Sequence, residues 1–285
     1  MGEFHYLCKI NIEIMIVFPN AKINIGLFVT EKRADGFHNL ETVFYPIGLS
    51  DILEIVKGKG ESGKCEFYST GIDVGCESEK NLIVKAYRIL DADFHLPAVN
   101  VYLHKVIPFG AGLGGGSADA AFILKALNDF FNLSLTKEQL EMYAARLGSD
   151  CAFFINNMPA FASGKGELLE NIELSLKDYR LILVKPPFGV STPEAYAGIV
   201  PHPAVFDLHK LSTLKPDTWQ EYVCNDFEVS VFAKYPQLAI LKQRLYDAGA
   251  VYASMTGSGS ALYGLFPRDK EIKIECPDCF VWQED

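Results

Sequence analysis

The residues best suited to chemistry lie in a glycine-rich segment, residues 108–118, which holds five glycines. Because glycine lacks a Cβ atom, its backbone can turn sharply and approach a ligand closely. The segment lies between a predicted strand and a predicted helix, and the first amides of a helix are free and carry partial positive charge. This arrangement predicts a phosphate-binding loop. A merely flexible connection is disfavoured, because so many glycines carry a high conformational cost.

Two common phosphate-binding motifs do not fit this glycine loop. A Walker A loop ends in Gly-Lys-Ser/Thr, and no lysine follows Gly116. Gly110, Gly112 and Gly115 satisfy the spacing G-x-G-x-x-G. A dinucleotide-binding fold also needs an acidic residue about 20 residues further on, at the end of a second strand. Residues 130–136 are instead predicted to be helix or turn, so a Rossmann dehydrogenase is disfavoured.

Two charged residues occupy unusual places in the pattern. Lys22 follows a Pro-Asn turn inside an apolar strand, where burial is costly without an anionic partner. Asp150 follows Gly148 and Ser149, on a tight turn beyond the end of a predicted helix. The alternatives are a lysine that reaches the surface and an aspartate that caps the next helix, a cap being worth ~1 kcal/mol. Asn24 lies on the same strand face as Lys22.

Three segments together resemble the signature motifs of the GHMP kinases, a family that includes galactokinase, homoserine kinase and mevalonate kinase. They are Pro-Asn-Ala-Lys-Ile-Asn-Ile-Gly-Leu at residues 19–27, the glycine loop, and Thr-Gly-Ser-Gly-Ser-Ala at residues 256–261. The resemblance implies an α/β (α+β) fold of two domains with the active site in the cleft between them. The mixed composition of residues 1–14 predicts an N-terminal extension. Glycines and charges interrupt the apolar segments near residues 164–178, which predicts a boundary between an ATP-binding domain at 15–170 and a C-terminal domain at 171–285.

Within the family, the chain resembles the kinases that act on CDP-methylerythritol in the non-mevalonate route to isoprenoids. The residues concerned are Arg-Ala-Asp-Gly-Phe-His at 33–38, Asn-Leu-Ile at 81–83 and Leu-Gly-Ser-Asp-Cys-Ala-Phe-Phe at 147–154. This resemblance implies transfer of the γ-phosphoryl group of ATP to the 2-hydroxyl of the substrate, with Mg²⁺ carried by the nucleotide and no metal site on the protein. The alternatives are a homoserine- or mevalonate-type kinase and a non-catalytic nucleotide-binding protein.

The resemblance also assigns roles to individual residues. Asp150 is the expected general base, and Lys22 is expected to pair with it and to contact the substrate hydroxyl or the γ-phosphate. The cofactor-binding residues implied are Asn81, Lys105, Pro108, Gly110, Ala111, Gly112, Leu113, Gly114, Gly115, Gly116, Ser117 and Ala118. The substrate-binding residues implied are Asn24, Phe37, His38, Thr192, Tyr196, Gly257, Ser258 and Gly259.

Some of these residues have a second interpretation. Phe37 and His38 are expected to stack on and read the cytosine edge, with Tyr196 on the other face of the base, but a histidine in a turn is often only solvated. Ser117 is equally suited to a phosphate contact and to an N-cap. Asn81 has the same ambiguity between an N-cap and an adenine contact. Lys105 is either close to the adenine or a solvated residue at a strand end.

The elements that must position these residues are predicted from periodicity and end signals. Thr136 and Gln139 form a capping box, and Gly148 is a helix stop. Residues 202–218 are predicted to be loop. Strands are predicted at 16–18, 23–29, 51–56, 99–104, 180–184, 251–255, 261–266 and 280–282, and helices at 81–90, 117–131, 136–147 and 236–248.

The composition excludes several classes of protein. The chain has 285 residues, 49% hydrophobic and 22% charged, which excludes disordered and fibrous chains. A net charge of −10 argues against nucleic acid as a partner. No apolar run approaches the ~18–20 residues that a membrane span needs, and residues 1–14 lack the apolar centre of a signal peptide. We expect a cytoplasmic enzyme with a small-molecule substrate and no membrane partner, either a monomer or a homodimer.

The cysteines support the same compartment. Their number is seven, an odd number without the spacing of a disulfide framework. Cys276 and Cys279 form a C-x-x-C pair, but no second pair or nearby histidine completes a zinc site. A turn at residues 277–278 before a terminal strand is the simpler interpretation, so reduced thiols are expected.

Overall fold

A computed structural model describes residues 13–73, 75 and 77–284 of the chain. Most of the predicted N-terminal extension therefore lies outside the described residues, as do Cys8 and Cys76. No helix in the described part of the chain is long and apolar enough to cross a membrane.

The described residues form strands and helices in a mixed order along the chain. The strands are β1 (Ile14–Val17), β2 (Asn20–Lys32), β3 (His38–Ser50), β4 (Ile52–Lys57), β5 (Cys65–Gly71), β6 (Val99–Lys105), β7 (Ala160–Ser163), β8 (Leu168–Asn171), β9 (Tyr179–Lys185), β10 (Tyr252–Met255), β11 (Leu262–Pro267) and β12 (Phe280–Gln283). The α-helices are α1 (Leu82–Phe94), α2 (Gly115–Phe131), α3 (Lys137–Ala145), α4 (Cys151–Asn156), α5 (Thr192–Tyr196), α6 (Phe227–Lys234) and α7 (Pro236–Asp247). Short 3₁₀ helices occupy Ser78–Lys80, Leu208–Thr213 and Pro216–Glu221.

The first sheet carries the strand that leads into the glycine loop. Its strand order is β1-β4-β6-β5, and β5 and β6 are parallel while the other pairs are antiparallel. Alternate residues of β6 (Val99, Val101 and Leu103) are buried against α1 and α2, as a period of two predicts. Burial of each large aliphatic side chain contributes about 1.5–3 kcal/mol, so this core fixes the end of β6 relative to the start of α2.

The second sheet carries Lys22. Its order is β2-β3-β7-β8, all antiparallel. Residues 21–29 of β2 are all buried, which explains why the sequence there is almost continuously apolar. The pairing of β2 with β3 shifts register at three places, including one between Asn20 and Lys22. Because side chains alternate along a strand, Lys22 and Asn24 lie on the same face.

The third sheet forms the second half of the protein. Its order is β10-β11-β9-β12, all antiparallel, and α6 and α7 cover one face. Ile23 and Ile25 of β2 share one hydrophobic cluster with Leu183 and Tyr263 of this sheet. The hydrophobic core is therefore continuous from β2 into the second half of the protein, and β2 both pairs with β3 and packs against the third sheet.

Most predicted elements are confirmed within a few residues, including the capping box of Thr136 and Gln139 on α3. The prediction of loop at residues 202–218 is confirmed for residues 202–207 and wrong for residues 208–213 and 216–218, where two 3₁₀ helices lie and bury Leu208, Leu211 and Pro216. The turn at the C-x-x-C pair is confirmed, because the Cys279 amide donates to the Cys276 carbonyl at 3.2 Å. The predicted domain boundary falls within β8 and stays a prediction.

Candidate active site

The glycine loop joins β6 to α2 and turns at three glycines. Gly110, Gly112 and Gly114 have φ values of 62°, 74° and 69°, a conformation that glycine adopts without strain. The N-cap residue of α2 is Gly114, which has no side chain to cap the helix. Ser117 is the third residue of the helix, and the N-cap alternative for it is therefore wrong. The Ala118 amide donates the first helical bond, to Gly114 at 2.8 Å. The three amides between them point out of the helix end, where an anion is stabilised.

Two glycines of the loop have different steric roles. A Cβ atom on Gly112 would lie 2.0 Å from the carbonyl oxygen of Thr256, so this glycine allows two loops to pack against each other. A Cβ atom on Gly116 would find only Leu82, at 4.0 Å. Gly116 therefore faces open space at the helix end, which leaves room for a ligand.

The loop borders a cavity of about 520 Å³, within the usual size range of small-molecule sites. The predicted site residues that line this central cavity are Lys22, Asn24, Lys105, Pro108, Gly110, Ala111, Gly112, Leu113, Gly114, Gly115, Gly116, Ser117, Asp150, Thr192, Tyr196, Gly257, Ser258 and Gly259. Among the described residues, the lining does not include four others predicted for the site, Phe37, His38, Asn81 and Ala118. Residues at the cavity that the sequence reasoning missed include Thr42, Phe44, Leu82, Phe109 and Lys165.

Lys22 is buried at the cavity and is not a surface lysine; only 3% of it is exposed. Its ammonium donates to Asn24 Oδ1 at 2.5 Å and to the Gly112 carbonyl at 3.1 Å. It also lies 3.7 Å from Asp150 Oδ2 and 4.9 Å from the centre of the Phe44 ring. Burial lowers the pKa of Lys22, and the charge of Asp150 opposes that shift. The pair supplies one cation and one carboxylate to the cavity.

Asp150 immediately precedes α4 but does not cap it. Its backbone already has helical angles, φ −79° and ψ −12°, and its side chain makes no capping hydrogen bond. The cap alternative is therefore wrong. About a third of the Asp150 side chain (32%) is exposed, against 4% for Lys22, so the carboxylate is the solvent-facing member of the pair.

Asn24 lies in a buried network. Its amide nitrogen donates to Thr42 Oγ1 at 3.0 Å, and its oxygen accepts from Lys22. Its backbone amide donates to Thr256 Oγ1 at 3.0 Å, and that hydroxyl in turn donates to the Gly112 carbonyl at 3.0 Å. The first and third predicted motifs thus meet the glycine loop through hydrogen bonds, and Asn24 orients Lys22. A contact between Asn24 and the substrate stays a prediction.

Lys105 is held below the glycine loop by two carboxylates. Its ammonium donates to Asp51 and, at 2.8 Å, to Asp119, and all three side chains are buried. The alternative of a solvated lysine is therefore wrong. Asp51 Oδ1 also accepts from the amides of Val106 and Ile107, at 2.6 and 2.8 Å. Together these bonds tie the start of the loop to α2.

Asp51 and Asp119 were not predicted as residues of the site. Asp119 could have been noticed, because it is a carboxylate in the otherwise apolar first turns of α2. Burial raises the pKa of Asp119 to about 7. The nearby Lys105 ammonium opposes this shift, and the Asp51 carboxylate adds to it. The Oδ1 atom of Asp119 is buried and has no hydrogen-bond partner among the described residues. This carboxyl group is therefore easier to protonate than an ordinary aspartate.

Asn81 acts as the N-cap of α1, since its side-chain oxygen accepts from the Ile83 amide at 2.9 Å. The capping interpretation is confirmed. The next residue, Leu82, lines the cavity instead. An additional contact of Asn81 with a nucleotide stays a prediction.

The residues predicted to read the cytosine lie at the side of α5. The His38 ring stacks on Tyr196, with ring centres 4.7 Å apart and planes inclined by 20°. Phe37 is 58% exposed, and the Lys165 ammonium lies 5.0 Å from the centre of its ring. The hydroxyls of Thr192 and Ser258 are 3.3 Å apart. His38 therefore lies against the ring face of Tyr196. Tyr196, Thr192 and Ser258 all line the central cavity.

The described residues contain no group of three or more His, Cys, Asp or Glu placed to hold a metal ion.

Known proteins resemble the chain in sequence and in structure. The GHMP kinases N terminal domain matches residues 81–165, and the GHMP kinases C terminal domain matches residues 208–276. The 4-diphosphocytidyl-2-C-methyl-D-erythritol kinase of Bacteroides fragilis is 52% identical over 272 residues, which cover 95% of this chain and 99% of the relative.

Two solved structures extend the comparison. A crystal structure of 4-(cytidine 5'-diphospho)-2C-methyl-D-erythritol kinase superposes with a TM-score of 0.73 at 31% identity, covering 88% of this chain and 90% of the other. The mevalonate kinase of Methanococcus jannaschii superposes with a TM-score of 0.71 at 13% identity, covering 94% and 97%. At that identity the second likeness shows the shared fold alone.

Proposed function

The chain belongs to the GHMP kinase family, and we propose that it transfers the γ-phosphoryl group of ATP to the 2-hydroxyl of 4-diphosphocytidyl-2-C-methyl-D-erythritol. The similarity to kinases of that name over nearly the whole chain supports this substrate. The observation that carries the proposal is the pair of Lys22 and Asp150, which lines the same cavity as the free amides at the start of α2.

Phosphoryl transfer asks the protein mainly for positioning and for neutralisation of charge. In the proposed reaction, the substrate oxygen forms a bond to the γ-phosphorus while the bond to the bridging oxygen of ADP breaks. Asp150 accepts the proton of the hydroxyl. The Lys22 ammonium offsets negative charge on the transferring group and is already oriented by Asn24 and Gly112, so no reorganisation is needed during the reaction.

The nucleotide phosphates are proposed to bind the amides of Gly115, Gly116 and Ser117, where the helix dipole favours negative charge. The open space above Gly116 supports this placement. Mg²⁺ is proposed to arrive with the nucleotide, where it neutralises phosphate charge when bound. Ser117 is the side chain proposed to reach either a phosphate oxygen or the ion.

The cytidine end is proposed to lie at His38 and Tyr196. Aromatic stacking and an imidazole that donates or accepts hydrogen bonds suit a pyrimidine. Since His38 now covers one face of Tyr196, a base that stacks on that face must first separate the two rings. A cytoplasmic location and a monomeric or homodimeric state are proposed on the sequence alone.

The test is ADP release with Mg-ATP and four alcohols: the cytidyl substrate, mevalonate, homoserine and galactose. We expect turnover only with the cytidyl substrate. Asp150→Asn is the matched control, because a contaminating ATPase would be unaffected by it. Faster turnover of mevalonate or homoserine would contradict the proposed substrate and favour another kinase of this family.

A further inference from the structure

A short segment before α6 connects the strand of Lys22 with the loop of residues 256–260. The Leu27 amide donates to the Cys224 carbonyl at 2.8 Å, and the Asp226 amide donates to the Leu27 carbonyl at 2.9 Å. The Asp226 carboxylate also accepts from the Val29 amide at 2.7 Å. These bonds fix residues 224–226 against residues 27–29 of β2, where Leu27 also forms a parallel bridge with Asn225.

The side chain of Asn225, in the middle of this segment, forms hydrogen bonds to the backbone on both sides of Thr256. Its side-chain nitrogen donates to the carbonyls of Met255 and Gly257, each at 2.8 Å. Its oxygen accepts from the Phe227 amide at 3.0 Å. The residue is only 3% exposed. A buried amide side chain is costly unless it is hydrogen-bonded, and here both donor hydrogens are used on the two carbonyls that flank Thr256.

Thr256 is the residue whose position matters for the reaction. Its hydroxyl accepts from the Asn24 amide and donates to the Gly112 carbonyl. Asn24 Oδ1 and the Gly112 carbonyl are in turn the two acceptors of the Lys22 ammonium. The neighbouring Gly257 packs so closely on Gly112 that a Cβ atom there would lie 3.3 Å from it. A displacement of this loop is therefore transmitted to both groups that orient Lys22.

We infer that Asn225 is a positioning residue for phosphoryl transfer. It holds the 256–260 loop against the glycine loop and against Asn24, and so keeps the acceptors of Lys22 in place, without itself touching the reacting atoms. The inference rests on the proposed function for its catalytic consequence. The positioning of the loop stands on the hydrogen bonds alone.

The test compares Asn225→Ala and Asn225→Asp with the wild-type chain. Alanine removes all three hydrogen bonds, and aspartate keeps the acceptor for Phe227 but puts an oxygen against two carbonyls. We expect kcat to fall roughly 10- to 100-fold, the cost of misplacing a reacting group by about 1 Å. KM for ATP should change by less than about threefold, because the nucleotide phosphates are proposed to bind the amides at the start of α2 and not the 256–260 loop.

The matched control is Asn128→Ala. Asn128 also ties a loop by its side chain, accepting from the Leu135 amide at 2.8 Å beyond the end of α2. It should lower thermal stability without the loss of kcat. Hydrogen exchange gives a readout independent of activity: the amides of Thr256 and Gly259, which bond to Ala261 and Thr256, should exchange faster in Asn225→Ala.

Normal kcat in both folded variants would overturn the inference, as would an equal loss in Asn128→Ala. Unchanged exchange at residues 256 and 259 would overturn it as well. A wild-type chain that fails to turn over the cytidyl substrate would contradict the proposed function instead, and the exchange measurement would still decide the role of Asn225 in holding the loop.

Discussion

The ammonium of Lys22 lies 3.7 Å from Asp150 Oδ2, close enough for an ion pair but too far for a hydrogen bond. The hydrogen bonds that orient Lys22 go to Asn24 and Gly112. Asp150 neither caps α4 nor fixes the lysine. Its carboxylate therefore keeps acceptor capacity for another group, while the positive charge beside it is held in place.

Substitution of Gly116 by valine tests whether phosphate groups approach the glycine loop. A Cβ atom at this position meets no protein atom closer than Leu82 at 4.0 Å, and glycine inside a helix is itself destabilising by about 0.5–1 kcal/mol. We expect unchanged or slightly higher thermal stability, with at least a tenfold weaker Kd for ATP by calorimetry, since the side chain fills the ligand space.

Gly114 would be a poor choice for the same experiment. A Cβ atom there would lie 3.0 Å from Phe154 and 3.2 Å from Lys22 Cγ, and the backbone φ is +69°. Gly114→Val should therefore reduce stability and displace Lys22 together. Native ATP affinity in a folded Gly116→Val variant would mean that the loop is only a connection.

Substitution of His38 by alanine tests recognition of the cytidine end. We expect KM for the cytidyl substrate to rise, with a loss of roughly 1–3 kcal/mol in binding, while KM for ATP stays nearly constant. His209→Ala is the matched control, because that ring also packs on an aromatic residue, Phe161, at 4.1 Å, and Phe161, unlike Tyr196, is not among the described residues that line the cavity. A fall in ATP affinity would place His38 in the nucleotide half of the site.

Features that depend on residues close together in the sequence could be predicted from the sequence. The capping box on α3 and the free amides after the glycine loop depend on residues a few positions apart, so their spacing was enough. The strand β3 was missed because its pairing with β2 shifts register and its residues do not alternate strictly. The helix α5 was missed because five residues are too few to show a period.

The part of the site that depends on distant contacts could not be predicted. Lys105 meets Asp51 and Asp119 from positions 54 and 14 residues away, and nothing in the sequence around Lys105 indicates that pairing. Asn225 reaches Met255 and Gly257 in the same way, across 30 and 32 residues. The family resemblance supplied the roles of Lys22 and Asp150, but only the fold shows which groups orient Lys22.

Asp119 predicts a pH dependence of stability. Because burial raises its folded-state pKa from 3.8 to about 7, the folded chain binds more protons than the unfolded chain between those values. Its stabilising contribution is complete below about pH 4 and is lost as pH rises through about 7. Between about pH 5.5 and pH 8, the free energy of unfolding of the wild type should fall about 2 kcal/mol more than that of Asp119→Asn.

Urea unfolding at the two pH values measures this difference. The side-chain amide introduced by Asp119→Asn stays neutral throughout, although Lys105 and Asp51 still face it. Asp247→Asn is the control, because that side chain is exposed, accepts a surface hydrogen bond from Gln243 and should leave the wild-type pH dependence intact. Parallel profiles for wild type and Asp119→Asn would show that Asp119 does not change its protonation in this range.

Lys22 and Asp150 should behave as one catalytic unit. Asp150→Asn keeps the shape of the side chain but cannot accept a proton, and we expect kcat to fall roughly 10²- to 10⁴-fold with little change in ATP binding. Lys22→Met should cost a similar factor, because it removes the charge beside Asp150 and takes one hydrogen-bond donor from the side-chain oxygen of Asn24 and one from the carbonyl of Gly112. Since both residues act on one step, the double variant should lose far less than the product of the two factors. Single-turnover phosphoryl transfer by the three variants measures this. Fully multiplicative losses, or near-normal kcat in either single variant, would separate the two residues and remove one of them from the proposed mechanism.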